Sequence, residues 1–421
     1  MKGWLTRLWA LLLLIGPGIF CIGYTIGTGS VTSMLKAGSE YRMDLLWVLG
    51  LSCLFSWVLM EAYGRFVLVT GSTAVYGFRR RLPFGNGISI LIIIGVVFGQ
   101  WNSLTGILGL SSNALYETVQ LLGTGQGGNS YWPVLLIAIG IVVCMYAILL
   151  RGEYSLFEKV LVGFVTLMGV SFVISVFIAP PLLSDVVTGL VPRIPQAPGA
   201  SLMVAAFVGT TMAAPTFVVR PLLLKAKGWT IRNYRDQQRD AFISAVLMFA
   251  ISGAIMAVAT GALAYRGRSI DRVLDMVDAL TPLAGSFAVV IFLLGALSAG
   301  LSSVFPILMV APLLIGDYRN GEFETRSTLF RSLTAVACLV GLTVPILGAN
   351  PVPAQILTQV FNVFVLPLVI LCITVLVNRG PLMGEYRAGP LLNLGLAAAF
   401  VFSVAVSVAG IHALRESLAS L

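Results

Sequence analysis

About eleven apolar runs, each roughly 20 residues long, follow one another along this chain and constrain its fold more than any motif does. A run of that length crosses the ~30 Å hydrocarbon core of a bilayer as a helix, whereas strands of a membrane barrel alternate over about ten residues. Charged residues make up only 10% of the 421 residues, too few to cover a soluble protein. The sequence therefore predicts an all-α, multi-pass membrane protein. The predicted spans are 8–35, 45–69, 88–110, 132–150, 160–182, 201–224, 241–264, 282–315, 329–347, 354–377 and 391–412.

Lys and Arg residues concentrate on one side of the predicted bundle. If the N-terminus is cytoplasmic, 18 of the 26 lie on the cytoplasmic side, 7 lie outside, and Arg220 lies within the sixth span. This bias predicts a cytoplasmic N-terminus and an external C-terminus. The expected location is the plasma (inner) membrane. It also accounts for the net charge of +9, so the run 79–81 (Arg-Arg-Arg) is interpreted as a cytoplasmic anchor and not as a nucleic-acid contact.

The chain lacks the short motifs that mark common enzymes. It contains no phosphate-binding GxxxxGK[ST] string, no HExxH string and no nucleophile elbow, so no enzymatic activity is predicted. The five cysteines show no CxxC spacing and His412 is the only histidine, so we predict no cofactor and no zinc or disulfide framework. The expected partners are the lipid bilayer and a small-molecule or ion substrate. The oligomeric state stays open, and a monomer is compatible with the sequence.

Two of the predicted spans contain residues that open a helix. The run 26–30 (Ile-Gly-Thr-Gly-Ser) interrupts the first span, and the run 212–215 (Met-Ala-Ala-Pro) interrupts the sixth. An opened turn inside hydrocarbon is tolerated only where protein or a watery cavity receives its backbone N–H and C=O groups. Paired breaks of this kind point to the binding site of a secondary transporter, so we predict a small-solute site between the first and sixth spans. The alternative is that Gly27 and Gly29 only permit close helix packing.

Neither break contains Asp, Glu, Cys or His, so the predicted site is lined by backbone, hydroxyls and apolar groups. A glycine-rich opening with a helix N-terminus behind it suits an anion or a zwitterion. Gly27 and Gly29 are also expected to allow positive φ and a close approach to a ligand. The predicted substrate-binding residues are Gly27, Thr28, Gly29, Ser30, Thr210, Thr211, Ala213, Ala214 and Gln359.

A few polar residues inside the predicted spans are candidates for a coupling pathway. Glu61 is either the partner of Arg65 one turn later or a protonated coupling group. Arg220 is expected to extend to the inner surface near Lys225, or else to line a vestibule. The remaining candidates, which share helix faces at i,i+3 and form either a hydrated lining or interhelical hydrogen bonds, are Gln100 with Ser103 and Gln359 with Asn362.

Several stretches resemble the Nramp divalent-metal transporter family. They are Gly16-Pro17-Gly18 with Gly23-Tyr24, the run 45–49 (Leu-Leu-Trp-Val-Leu) with Val69-Thr70-Gly71, the run 298–303 (Ser-Ala-Gly-Leu-Ser-Ser), Gln359 through Pro367, and the run 382–387 (Leu-Met-Gly-Glu-Tyr-Arg). The resemblance implies a LeuT-like (APC) fold that works by alternating access. It divides the chain into a first five-helix repeat at 1–182, a second, inverted repeat at 199–377 and an extra helix at 378–421.

The functional residues of that family are mostly replaced. Its Asp-Pro-Gly-Asn motif corresponds to Gly27 through Ser30, its Met-Pro-His motif falls on 213–215 (Ala-Ala-Pro), and its acidic pair falls on Gln100 and Ser103. Of its metal-site positions only Gln359 survives, so transition metals such as Mn are expected to bind weakly. The leading hypothesis is a transporter of a small organic zwitterion or anion. The alternatives are a transporter of a divalent ion that keeps most of its water, such as Mg²⁺, and a relative of the fold that no longer transports.

Overall fold

A computed structural model of the chain describes residues 16–123, 131–151, 154–197, 199–270, 274–322, 325–348 and 351–419. These residues form eighteen α-helices joined by turns and three short 3-10 helices. The helices are α1 Gly16–Thr25, α2 Thr28–Tyr41, α3 Leu46–Thr70, α4 Ala74–Arg81, α5 Gly85–Gly123, α6 Tyr131–Leu150, α7 Tyr154–Ile178, α8 Leu183–Gly189, α9 Ala200–Thr211, α10 Ala214–Ala226, α11 Tyr234–Ala262, α12 Leu274–Asn320, α13 Thr328–Gly341, α14 Thr343–Leu347, α15 Pro351–Val363, α16 Leu366–Val377, α17 Gly380–Met383 and α18 Pro390–Ala419.

The predicted all-helical membrane architecture is confirmed. Ten spans in the described part of the chain are long and apolar enough to cross a bilayer, and the bent pair of α1 and α2 makes an eleventh when counted as one. The third and eighth spans extend beyond their predicted bounds, because α5 runs for 39 residues and α12 for 47. The division into repeats at 1–182 and 199–377, with an extra helix at 378–421, stays a prediction.

Both predicted helix breaks are present. Ile26 and Gly27 separate α1 from α2, which are inclined by 52° to each other, and Met212 and Ala213 separate α9 from α10. Pro215 lies in the first turn of α10, where its missing N–H removes no intrahelical hydrogen bond. The expectation of positive φ is wrong for both glycines: Gly27 is extended, with φ −93 and ψ −171, and Gly29 lies within α2.

A third break, which the sequence analysis did not predict, divides the tenth span. The predicted helix 354–377 consists of α15 and α16, with Phe364 and Val365 between them. The signal was present in Pro367, which lies in the first turn of α16 and cannot supply an N–H to a continuous helix.

The broken helices lie at the centre of the bundle. In the apolar stretch of α9 and α10, 94% of the residues are buried, against 28% in α18 and 33% in α6. Since burial by protein gives an opened backbone turn its hydrogen-bond partners, this central position is what makes the breaks tolerable in a membrane.

Asp317, for which no role was predicted, fixes the position of the short helix α4. Its carboxylate is completely buried on α12 and accepts hydrogen bonds from the Thr73 hydroxyl and from the N–H groups of Val75 (3.0 Å) and Tyr76 (3.3 Å). These N–H groups belong to the first turn of α4, which has no intrahelical acceptors for them. Asp317 therefore joins α4 to α12 by capping α4.

We expect Asp317→Ala to lower the melting temperature of the detergent-purified protein by several degrees. Each buried donor left without an acceptor costs roughly 1–3 kcal/mol. Asp44→Ala is the control, because Asp44 pairs with a half-exposed Arg193 and such a pair contributes about 0–1 kcal/mol. Equal melting temperatures for the two variants would contradict the role given to Asp317.

Candidate functional site

The first two helix breaks meet at a small, partly open cavity. The Thr210 hydroxyl of α9 donates to the Thr25 carbonyl of α1 over 3.1 Å, which joins the two broken spans directly. The cavity has a volume of about 20 Å³, which is room for about one water molecule. It is lined by Tyr24, Gly27, Gly29, Ser30, Gln100, Ser103, Ile107, Thr210, Ala213, Ser303, Ile307, Gln359 and Asn362.

The cavity brings together most of the residues predicted to bind substrate. Thr211 and Ala214 are buried beside it but do not line it. Thr28 begins α2, and its side chain lies outside the described part of the structure. Tyr24 and Ser303 were not predicted. Tyr24 lies one turn before the Gly27 break, and that spacing was the available signal.

A chain of neutral side chains joins α5 to α15 along one wall. Gln100 Nε2 donates to Asn362 Oδ1 (2.9 Å), Asn362 Nδ2 donates to Gln359 Oε1 (3.1 Å), and Gln359 Nε2 donates to Ser103 Oγ (2.9 Å). Ser103 Oγ also accepts a hydrogen bond from Gln355 Nε2 over 2.9 Å. The two alternatives for these residues, a polar lining and interhelical hydrogen bonding, therefore occur together.

Hydroxyl groups from neighbouring helices satisfy the carbonyls that the breaks release. The Ser303 hydroxyl donates to the Gly23 carbonyl over 2.7 Å, and Ser302 lies 3.4 Å from the same oxygen. On the sixth span, the Ser56 hydroxyl donates to the Thr211 carbonyl over 3.0 Å. The breaks are thus held by α12 and α3, as an opened helix in hydrocarbon requires.

Two oxygen atoms on the cavity wall are left over. Tyr24 Oη and Ser30 Oγ have no hydrogen-bond partner among the described residues, although Tyr24 is 5% exposed and Ser30 is 1% exposed. A buried hydroxyl without a partner is costly, and water or a ligand in the cavity would supply one. These oxygens make the cavity a candidate site for a polar solute or for water.

The cavity has no charged side chain among its lining residues. The described residues also contain no cluster of three His, Cys, Asp or Glu side chains that would hold a metal ion. Its electrostatics come from half-helices: α1 and α9 end at the cavity with partial negative charge, and α2 and α10 begin there with partial positive charge. The site offers neutral oxygens and amides to a solute, and no thiolate, imidazole or carboxylate.

The glycines of the first break are required by crowding. A Cβ added to Gly29 would overlap the side-chain amides of Gln359 and Gln355, and one added to Gly27 would overlap the Ser303 hydroxyl. Gly27 and Gly29 permit close helix packing, and this packing brings polar groups to the cavity. The two alternatives, helix packing and ligand binding, therefore describe the same arrangement.

Glu61 lies away from the cavity and is paired. Its carboxylate forms an ion pair with Arg65 over 2.8 Å and accepts further hydrogen bonds from the Tyr234 hydroxyl (2.9 Å) and Gln238 Nε2 (3.3 Å). The pairing alternative of the sequence analysis is thus the one that the geometry shows. The structure does not bring Glu61 together with Gln100 or Ser103.

The expectation that Arg220 extends to the inner surface is wrong. Arg220 is completely buried and does not line the cavity; its Nη2 lies 2.6 Å from Asp240 Oδ2. The sequence analysis missed Asp240 because it placed the start of the seventh span at residue 241, whereas α11 begins at Tyr234. A buried arginine in a membrane needs a charged partner, and Asp240 is that partner.

Comparisons with known proteins agree in sequence and in fold. Residues 18–413 match the model of the family described as natural resistance-associated macrophage protein-like, or Nramp. Two similar sequences are named divalent metal cation transporter MntH. The one from Deinococcus radiodurans is 24% identical over 88% of this chain and 83% of the relative, and the one from Aeromonas hydrophila is 24% identical over 90% of each chain.

Two solved structures show the same fold. The manganese transporter of Eremococcus coleocola, in complex with an aromatic bis-isothiourea substituted compound, aligns with a TM-score of 0.72 and 13% identity over 97% of this chain and 87% of that chain. MhsT in complex with L-phenylalanine aligns with a TM-score of 0.64 and 14% identity over 95% and 98% of the two chains. The predicted LeuT-like fold is thereby confirmed.

We expect Gln359→Leu to destabilise the protein through the cavity wall. Leucine leaves the Asn362 amide without its acceptor, at roughly 1–3 kcal/mol for a buried group left unpaired, and removes one of the two donors to Ser103. The measurement is the melting temperature in detergent, with Thr358→Val as the neighbouring control, because Thr358 bonds only within its own helix. A Gln359→Leu variant as stable as Thr358→Val would show that the chain of side chains does not support the wall.

Proposed function

This chain belongs to the Nramp family, and on that premise we propose that it is a secondary transporter that moves a divalent metal ion together with part of its water shell. The family model matches nearly the whole chain, and the similar sequences carry the name of divalent metal cation transporters. These findings support the metal alternative of the sequence analysis better than its leading hypothesis of a small organic solute.

The observation that carries the proposal is the neutral cavity, where the hydroxyl oxygens of Tyr24 and Ser30 have no hydrogen-bond partner among the described residues. Mg²⁺ prefers oxygen ligands and gives up its water reluctantly, so it suits a site where Tyr24, Ser30 and the amides contact its water shell. The cavity volume of about 20 Å³ has room for about one water-sized group, so the site must widen before an ion enters with part of its water shell. Transition metals that select imidazole or sulfur ligands find neither on its walls.

The half-helix N-termini favour a second candidate. The N–H groups in the first turn of α2 lack intrahelical acceptors, and such groups receive the carboxylate of an amino acid or another small anion. A small organic solute is therefore the second candidate, and a relative without transport activity is the outcome if neither solute moves.

Transport by this chain is not coupled through the positions of the acidic pair of the Nramp family. Gln100 and Ser103 occupy those positions and do not titrate, and Glu61 is engaged with Arg65. We infer that no proton crosses along α5. The N-terminus is cytoplasmic and the C-terminus external in this proposal, because the excess of Lys and Arg lies on the side of the N-terminus.

We expect proteoliposomes containing the protein to take up Mg²⁺, and Gly29→Val to abolish that uptake. The added side chain would displace the amides of Gln359 and Gln355 into the cavity. The matched control is Gly163→Val, because a Cβ at Gly163 meets nothing within 4 Å. Uptake is followed with a trapped Mg²⁺ indicator, in parallel with radiolabelled amino acids and small carboxylates. Uptake of an organic solute without Mg²⁺ would replace the proposal by the second candidate, and no uptake at all would refute both.

We expect Mn²⁺ to bind in the cavity more weakly than it binds sites built from carboxylate, imidazole or thioether ligands. The reason is that neutral oxygens supply little negative charge to replace the hydration of the ion. Anomalous diffraction from crystals soaked in Mn²⁺ measures this directly. A strong peak beside Gly27 or Ser30 would contradict the expectation.

A further inference from the structure

Arg220 and Asp240 form the most deeply buried ion pair in the described part of the chain. The side chain of Arg220 is 0% exposed and that of Asp240 is 1% exposed, and their nearest charged atoms lie 2.6 Å apart. Charges at this depth are costly, so they are paired and usually serve a function. Neither residue lines the cavity, so the proposed function does not use them.

The Asp240 carboxylate connects two half-helices that flank the cavity. Its Oδ2 bonds Arg220 of α10, and its Oδ1 accepts the backbone N–H of Gly18 in α1 over 3.1 Å. The contact with α1 depends on glycine, because a Cβ at Gly18 would overlap the Ser244 hydroxyl and crowd Asp240 Oδ1. One carboxylate on α11 thus holds both α1 and α10.

Among the residues that the structure describes, Arg220 has no second strong acceptor within reach. Its Nη1 lies 3.6 Å from Cys21 Sγ and 3.9 Å from Met60 Sδ, which are weak acceptors, and its Nε has no partner among the described residues. If α1 moved away from α11, water would have to enter beside Cys21 to solvate the charges. The ion pair therefore opposes any motion of α1 that does not also hydrate this end of the bundle.

From this geometry we propose that Arg220 and Asp240 are positioning residues that hold α1 at Gly18 against α10 and α11, and so keep the protein closed on this side of the cavity. The Ile26–Gly27 break separates α1 from α2, and Asp240 binds α1 at Gly18, about two turns before that break. The inference rests on the proposed function in one respect: a transporter must open this end at some point in its cycle. Its test does not require any substrate to be transported.

Cys21 reports the opening, because it is completely buried beside Arg220. The test uses detergent-purified full-length protein in which Cys53, Cys144, Cys338 and Cys372 are replaced by alanine, and it measures the rate at which a maleimide labels Cys21. We expect Arg220→Met with Asp240→Leu to raise that rate by about tenfold or more, because labelling follows the population of the open form. Replacing a buried ion pair by apolar residues of similar size often preserves folding, so this double variant is preferred to single ones.

Two further variants complete the test. Glu61→Gln with Arg65→Met removes the neighbouring ion pair within α3, without touching α1, and should leave the labelling rate unchanged. Gly18→Ala displaces α1 while keeping both charges, and should raise the rate even if the double variant does not fold. Folding is checked by thermal unfolding. Unchanged labelling in folded Arg220→Met with Asp240→Leu, or in folded Gly18→Ala, would refute the positioning role.

The proposed function and this inference fail separately. If proteoliposomes take up no Mg²⁺ but the variants differ in the rate of Cys21 labelling as predicted, the transported ion is refuted and the role of the ion pair is kept. If Mg²⁺ is taken up but the labelling rates do not differ, the role of the ion pair is refuted and the transported ion is kept.

Discussion

The structure depends on one requirement: in hydrocarbon, every backbone N–H and C=O group needs a partner within the protein. An unbroken helix meets this requirement by itself, but the first and sixth spans are interrupted at Gly27 and Ala213. The carbonyls that the breaks leave without helical partners accept hydrogen bonds from the hydroxyl groups of Ser303, Thr210 and Ser56. Because those donors come from three different helices, the breaks fix the positions of their neighbours, and the cavity is the space left where the two breaks meet.

Sequence patterns were sufficient for the membrane spans and for two of the three breaks. Hydrophobic length predicts a span, and Gly27, Gly29 and Pro215 predict an opening, because these signals are local. Gln359 and Asn362 could be chosen as candidates from their i,i+3 spacing, but their bonds to Ser103 and Gln100 could not, since those depend on how α15 packs against α5. The break at Phe364 was missed although Pro367 marked it.

The buried charges were the hardest to predict from sequence. Arg220 and Asp240 lie 20 residues apart with the end of one span and a loop between them, and their pairing follows only from the packing of α10 and α11. Asp317 looked like a residue at the end of a span, whereas it caps α4 more than 240 residues earlier in the chain. This chain and the Eremococcus coleocola transporter share a fold at 13% sequence identity. A fold can be kept at such low identity because helix packing and backbone hydrogen bonding preserve it while the residues of a site vary.

The neutral lining of the cavity has a consequence for the effect of the membrane potential. With no charged side chain on its walls, the empty cavity carries no countercharge when it changes the side to which it opens. If a divalent ion crosses in it, both charges of the ion move through the field uncompensated, at about 2.3 kcal/mol per charge per 100 mV. The voltage then acts on the loaded step through both charges of the ion, whereas the return of the empty protein moves no charged side chain of the cavity lining through the field. An inside-negative potential would thus favour inward movement of the cation without any titratable residue in the site.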